Sequence, residues 1–417
     1  MTYDFTAERI VYNTLKSVFI NKAYSSIELD RALAAAADNY RGRITALVYG
    51  VLEKSVTLDY YISKLTAKKP KNNIEILLKL AVHDLLFGTD AEYAVIDKYV
   101  QFAKDRFSGI HGFVNAVLRK VKTIFAPDGN LSVKYSCPEW VVARLLRDYG
   151  ERATALLSAQ AEKMTHIRFN SRVTDKAKFE TGLKGIADNI TATDLGYYVN
   201  RTVLKKLAPG SFTPQSLSSA RAVKIYADGM STGMKILDLC AAPGGKSIYL
   251  EELIGGEITA CDIHPHRTEL IRSYALRMGS KVKTAVNDAT KLNPAWKGAF
   301  DLVICDVPCS GSGLLKSSPD ILLFKSDGDV ARLAKLQYEI LSSAAAYVKS
   351  GGVLAYSTCS LFNDENEGVA DKFTAEHKDF AVLPHTLGIG ENVRGYTKLY
   401  PDVDKCDGFF IAKWKKQ

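Results

Sequence analysis

The sequence has no run of about 18 uninterrupted apolar residues, the length a membrane-crossing helix requires. Its opening stretch, TYDFTAERIVYNTLK, is charged early and contains no long apolar block. Without a span or a secretory leader, the chain is expected in the cytoplasm with no membrane partner. Cysteine is scarce, at seven in 417 residues, and the number is odd. In a large chain of a reducing compartment these are expected as free thiols, not as a disulfide framework. No C-x-x-C pair occurs and the seven histidines show no ligand spacing, so no metal is expected. The dinucleotide fingerprint G-x-G-x-x-G is missing, which disfavours a nicotinamide cofactor. Internal repeats and low-complexity tracts are also absent.

What is present is the composition of a folded protein, 47% hydrophobic and 24% charged. The length suggests two or three domains. A net charge of +9 favours an anionic partner such as nucleic acid without demanding one.

Residues 1–127 read as a helical domain, with 1–125 almost all helix. AERIVYNTLKSVF repeats apolar residues at three and four, placing Ile10, Leu15 and Val18 near one face. The serines opening SSIELDRALAAAA (25–37) are suited to cap a helix, and Gly88 is suited to stop one. RGRITALVYGVLEK, NNIEILLKLAVHDLLFG and YAVIDKYVQFAK continue the pattern, which predicts an all-α bundle. Pro127, Asp128 and Gly129 break it. Residues 128–210 then mix helical pieces (PEWVVARLLRDYG, ERATALLSAQAEK) with strand-like ones (THIRFN, GYYVNRTV), as a small α+β domain would. From 211 to 417 strands and helices alternate, the pattern of a doubly wound α/β sheet. Ligands of such sheets sit at the carboxyl ends of the strands. Gly244, Asp262, Asp288, Asp306, Cys309 and Cys359 all fall at such ends.

CAAPGGKS (240–247) has two readings. Gly245, Lys246 and Ser247 match the end of a phosphate loop, with Asp306 as a magnesium acid, but Cys240 stands where its first glycine belongs. As a nucleoside loop, Gly244 and Gly245 let the backbone approach a ligand. Asp262 then accepts from ribose hydroxyls and Asp288 from an adenine amino group. A nucleoside cofactor beside thiols suggests methyl transfer from S-adenosylmethionine. Carbon 5 of a pyrimidine is a poor nucleophile until a thiolate adds at carbon 6. That chemistry needs a thiolate, an acid near N3, for which Asp306 is placed, and a base for the C5 proton. The target base must leave its stack. Cys240, Cys261 and Cys305 read as small apolar strand residues, and Cys137 and Cys406 carry no chemical signal.

LDLCAAPGGKS, DVPCSGSG, YSTCS with ENE (365–367), and DGFFIA (407–412) together resemble the RNA cytosine-5 methyltransferases of the Sun/Nol family. ALVYGVLEK, LDYYI and GFVNAVLRK (112–120) resemble a NusB-type RNA-binding bundle. The combination is similar to the RsmB (Fmu/Sun) enzymes, which methylate a cytosine of small-subunit (16S) ribosomal RNA. The resemblance implies a Rossmann-like methyltransferase domain and a cofactor loop of Cys240, Ala241, Ala242, Pro243, Gly244, Gly245 and Lys246. It implies Asp262 at the ribose, Asp288 at the adenine, Asp306 at the methionine side, Cys359 as nucleophile and Cys309 as the thiol that assists product release. S-adenosylmethionine is the implied cofactor and small-subunit ribosomal RNA the implied partner, with the chain a monomer. Ser216 stands where the family usually has an acid, and Lys316 and Ser317 where an Arg is common. Two alternatives stay open: another RNA such as transfer RNA as substrate, and a non-catalytic NusB-like RNA-binding factor. In DNA cytosine methyltransferases the Pro-Cys cysteine is the nucleophile, which here would be Cys309.

Overall fold

The computed structural model describes residues 3–159 and 164–417. The chain forms two compact units. The first comprises residues up to Ser158 together with Ser318–Phe324, and the second comprises Ala159–Ser317 and Lys325–Gln417.

The first unit is helical. Its longer helices are Thr6–Asn21, Ser25–Ala35, Asp38–Glu53, Ser55–Leu65, Asn72–Phe87 and Glu92–Arg106. Their apolar faces make one core, in which Leu15 and Val18 are fully buried and Ile10 packs at the margin. Asn72–Phe87 ends at Gly88, as its sequence suggests. The serines at 25 and 26 do not cap. The helix starts at Ser25 itself, with Tyr24 at the N-cap and no side-chain cap bond. A serine already inside the first turn cannot reach back to its own orphan amides. The Ser25 amide is met instead by Asp320 Oδ2 at 3.3 Å, and Leu323 and Phe324 of the same segment pack on this core.

Residues 128–210 are shared between the units. Helices Leu131–Tyr135, Glu139–Tyr149 and Arg152–Ser158 belong to the first. They are anchored there by the Thr57 hydroxyl, which donates to Val133 O at 2.7 Å, and by the Thr57 amide on Ser136 Oγ at 3.3 Å. The last residues of ERATALLSAQAEK, 160–163, lie outside the described residues. The strand-like pieces belong to the second unit, where β1 (Thr165–Phe169), β2 (Ile190–Ala192), β3 (Tyr197–Val199) and β4 (Phe212–Pro214) form an antiparallel sheet in the order β2-β3-β1-β4.

A mixed sheet fills the rest of the second unit. Its parallel half holds β5 (Lys235–Asp238), β6 (Glu257–Asp262), β7 (Lys283–Val286), β8 (Phe300–Asp306) and β9 (Val348–Thr358). These strands read as continuous apolar runs because helices cover both faces of a parallel sheet. The chain runs from β5 outward through β6 and β7, then crosses to β8 and β9 on the other side of β5. The crevice between β5 and β8 is therefore the topological switch point, where such sheets bind ligands. An antiparallel flank follows, made of β10 (Phe380–Val382), β11 (Glu391–Val393), β12 (Tyr396–Leu399) and β13 (Phe409–Lys416). β13 lies between β12 and β9. β9 is thus held in register from both sides, with Ser357 opposite Asp306 of β8 and Ile411 of β13.

Candidate active site

The site grows from the carboxyl ends of β5, β6, β7, β8 and β9. After β5 the chain turns a corner at 239–245. The Ala241 amide bonds Cys261 O at 2.8 Å, Ala242–Pro243 is cis, and the Gly244 amide returns to Ala241 O at 2.7 Å. Gly244 sits at φ +106°, and a Cβ there would lie 3.0 Å from Ile271 Cγ2. Only glycine suits both the dihedral and the space. Helix Gly245–Ile254 starts directly behind it. Asp238, at the end of β5, is buried; its Oδ2 accepts from Ser247 Oγ at 2.6 Å and its Oδ1 has no partner. Burial pushes its carboxyl up to about 6.

Asp262 ends β6 with its side chain 4% exposed. Its Oδ1 accepts from the His264 amide at 3.0 Å and its Oδ2 pairs with Arg267 at 3.2 Å. Arg267 also donates to Ala242 O at 3.4 Å, tying this acid to the glycine corner. Asp288 lies two residues past β7. The Thr290 hydroxyl and Lys291 hold it below the usual carboxylate range. Beside it, Asn287 Nδ2 is a buried donor without a partner. A glycine corner that a Cβ would fill, two carboxylates on successive strand ends and an unspent buried amide fit a nucleoside-bearing cofactor.

Asp306 ends β8 and closes a chain of polar groups. Lys246 Nζ lies 2.6 Å from its Oδ2. Ser357 Oγ donates to its Oδ1 at 2.7 Å, and the Tyr226 hydroxyl donates to Ser357 Oγ at 2.5 Å. Burial opposes the charge on Lys246, but the Asp306 carboxylate more than offsets this and raises its ammonium above the ordinary value.

Cys309 and Cys359, three residues past β8 and one past β9, meet with their sulfurs 3.1 Å apart. Hydrogen bonding to Cys359, then burial, then the negative charges of Cys359 and Glu365 push the Cys309 thiol well above its ordinary value. Either sulfur can donate in this contact, and the shift on Cys309 favours its protonated form. The loops that carry them also touch through backbone. The Gly313 amide bonds Cys359 O at 2.9 Å, and the Gly408 amide bonds Gly313 O at 3.0 Å. A Cβ on Gly313 would fall 2.2 Å from Gly408 O. The other strand thiols do not join the pair: burial pushes Cys240 and Cys305 far up and Cys261 to about 12.

The structure thus groups Cys309 with Cys359, and Lys246 with Asp306, while Asp262 and Asp288 each pair within their own strand-end segment. Ser216 caps helix Leu217–Ala227 through the Ser219 amide. Sequence reasoning assigned no role to Tyr226, Ser357, Gln337 or Glu365. ENE was the available signal for the last, but as two acids around an asparagine it gave no hint of burial. Among the described residues no group of three or more His, Cys, Asp or Glu could hold a metal ion, and no helix is long and apolar enough to cross a membrane.

Comparison with known proteins gives a consistent assignment. Residues 229–415 match the family described as 16S rRNA methyltransferase RsmB/F, and residues 6–123 match the NusB family. The probable ribosomal RNA small subunit methyltransferase B of Bacillus subtilis (strain 168) is 32% identical, over 95% of this chain and 96% of that protein. The ribosomal RNA small subunit methyltransferase B of Klebsiella pneumoniae is 28% identical, over 91% of each chain. Among solved structures, PH0851 shares the fold over 100% of both chains, with a TM-score of 0.84 at 24% identity. A methyltransferase homologue from Pyrococcus horikoshii covers 70% of this chain and 100% of its own, with a TM-score of 0.60 at 25% identity. With a NusB-type helical bundle, a Rossmann-like methyltransferase sheet and a full-length relative at this identity, the chain belongs to the RsmB/F family of 16S ribosomal RNA methyltransferases.

Proposed function

We propose that this protein methylates carbon 5 of a cytosine in small-subunit ribosomal RNA, through a covalent adduct on Cys359, with S-adenosylmethionine as methyl donor. The observation that carries this reading is the sulfur pair: two cysteine sulfurs 3.1 Å apart at the carboxyl ends of adjacent strands, with Cys309 pushed toward its protonated form. A single nucleophile needs no second thiol in contact. A nucleophile that must later be expelled gains from one.

The glycine corner from Cys240 to Gly245, with Asp262, Asp288 and the Asn287 amide, would hold the cofactor, which supplies an electrophilic methyl group on a sulfonium sulfur. The Cys359 thiolate adds to carbon 6 of the flipped base, forming an S–C bond. The displaced electron pair makes carbon 5 nucleophilic, and Asp306, steadied by Lys246 and Ser357, holds the N3 side. Once carbon 5 carries the methyl group, a base removes its proton. The released pair re-forms the C5–C6 double bond and expels the Cys359 thiolate. Cys309, in contact with the departing sulfur, provides the proton that keeps it from re-adding. The helical bundle serves RNA affinity and placement, not chemistry.

The test is a pair of substitutions in the full-length protein, incubated with labelled S-adenosylmethionine and deproteinised small-subunit RNA. Cys359→Ala should abolish methylation and adduct. Cys309→Ala should form the adduct and fail to release it, leaving protein cross-linked to RNA on a denaturing gel. The reverse pattern, with the trapped complex in Cys359→Ala, would exchange the two roles. Methylation undiminished in both variants would remove the cysteine mechanism.

A further inference from the structure

The described residues hold one buried carboxylate beside the sulfur pair to which the scheme above gives no part. Glu365 is fully buried. Its Oε1 accepts from the Ser310 amide at 2.7 Å and from Gln337 Nε2 at 3.0 Å. Its Oε2 accepts from Ser310 Oγ at 2.5 Å and Ser360 Oγ at 2.6 Å. Ser310 is the residue after Cys309, and Ser360 is the residue after Cys359. One side chain therefore grips both cysteine loops at the same offset from each sulfur.

We propose that Glu365 is the positioning residue of the two-cysteine reaction: a single buried carboxylate staples the loop carrying Cys309 to the loop carrying Cys359 and so sets the contact between their sulfurs. The proposal rests on the cysteine mechanism above. It also accounts for the surroundings of this side chain. Gln337 Nε2 donates to Pro308 O at 2.9 Å as well as to Glu365, and the Tyr356 hydroxyl donates to Gln337 Oε1 at 3.2 Å and to Glu365 O at 2.5 Å. The next residue, Asn366, repeats the grip on the Cys359 side. It accepts from Thr358 Oγ1 at 2.6 Å and donates to Ser360 O at 2.9 Å. The four groups that bond the Glu365 carboxyl are all neutral donors, with no cation among them. A purely structural link between two loops would be met at lower desolvation cost by a neutral amide. The charge has a second consequence, because it opposes ionisation of Cys309 and so favours the proton on that sulfur. The other charged and titratable groups facing the pair are Lys325, which donates to Cys309 O at 3.1 Å, Lys246 with its partner Asp306, and Tyr356.

Glu365→Gln separates charge from shape. The amide oxygen can take the Oε1 role, and its NH2 can donate to two serine hydroxyls that are free to rotate. In the full-length protein, thermal unfolding of this variant should stay close to the parent. Iodoacetamide labelling of Cys309 and Cys359, read peptide by peptide between pH 6 and 9, should show the preference for Cys359 reduced by about threefold or more. In the RNA assay kcat should fall about tenfold with KM for RNA little changed, the signature of an interaction made only during the chemical steps. Glu365→Asp, which keeps the charge but shortens the reach, should loosen the grip on the two loops and lower kcat at least as far as Glu365→Gln does. Unchanged labelling and unchanged kcat in Glu365→Gln would overturn the proposal. So would a kcat loss in Glu365→Gln that merely tracks a fall in unfolding temperature. Should Glu365→Gln not fold, Ser360→Ala, which removes one of the four donors, should lower the same preference by a smaller factor, and no change there would overturn it too. Labelling reads the thiols without RNA or cofactor. A parent protein that labels as expected but forms no adduct would refute the methylation mechanism and leave the staple standing.

Discussion

Asp238 offers a test of the site's electrostatics that needs no substrate. Its carboxyl is buried at the end of β5 with one oxygen unpartnered, and it keeps its proton up to about pH 6. In the unfolded chain an aspartate loses its proton near pH 4. The folded form thus binds the proton more tightly, so stability falls as pH rises between these two values and levels off above them. A gap of roughly two pH units corresponds to about 3 kcal/mol. Below pH 4 both states are protonated and the penalty is absent. Asp238→Asn removes the titration while keeping an oxygen for Ser247. The assay is urea unfolding of parent and variant from pH 4 to pH 8, followed by the fluorescence of Trp296 and Trp414 in the sheet unit. Relative to the variant, the parent should lose about 3 kcal/mol between pH 4 and pH 7. Parallel pH profiles for the two proteins would refute the argument, because they would mean that the Asp238 carboxylate is solvated or compensated when ionised.

Two further outcomes are expected. Asp262→Ala should weaken S-adenosylmethionine binding by roughly 1.5–3 kcal/mol, the worth of charge-assisted hydrogen bonds, or about ten- to a hundred-fold in affinity; calorimetry giving an unchanged dissociation constant would reject the ribose role. Gly313→Ala should force apart the backbones of Gly313 and Gly408, since a Cβ would sit 2.2 Å from Gly408 O. The loops should separate, with methylation reduced about tenfold or more while cofactor affinity, measured by the same calorimetry, stays within about twofold of the parent.

The parallel half of the large sheet is legible in the sequence because its strands are buried on both faces. Leu302 to Cys305 is an unbroken apolar run, and β5 (KILD) and β8 (FDLVICD) each end in an aspartate at the carboxyl edge of the sheet. The acids at 262, 288 and 306 and the cysteines at 309 and 359 are visible for the same reason. The 3.1 Å contact between the sulfurs is not visible. It depends on the register that places Ser357 opposite Asp306, and on two glycine backbones passing within hydrogen-bond distance. Glu365 is hidden for a different reason. Glu-Asn-Glu reads as a solvated triad, and only the convergence of two serines and Gln337 makes room for its carboxylate inside the protein. The antiparallel flank has short strands at β10, β11 and β12, and β13 sits between its chain neighbour β12 and the distant β9, a long-range pairing that local patterning does not announce. The cap on the Ser25 helix was beyond local reasoning altogether, because the carboxylate that supplies it lies 295 residues away in the chain.

That distance has a consequence for how the protein is made. Phe324 stacks edge-on against Phe19, and Asp320 meets the Ser25 amide, so the helical unit is finished by residues synthesised long after its own helices. At about 5–20 residues per second of elongation, the helices wait on the order of ten seconds for that segment. During this interval Phe19 and the start of the Ser25 helix are left without those partners on the nascent chain. Whatever folds early at the ribosome is therefore an incomplete bundle. Its completion reports that translation has passed the first cysteine loop.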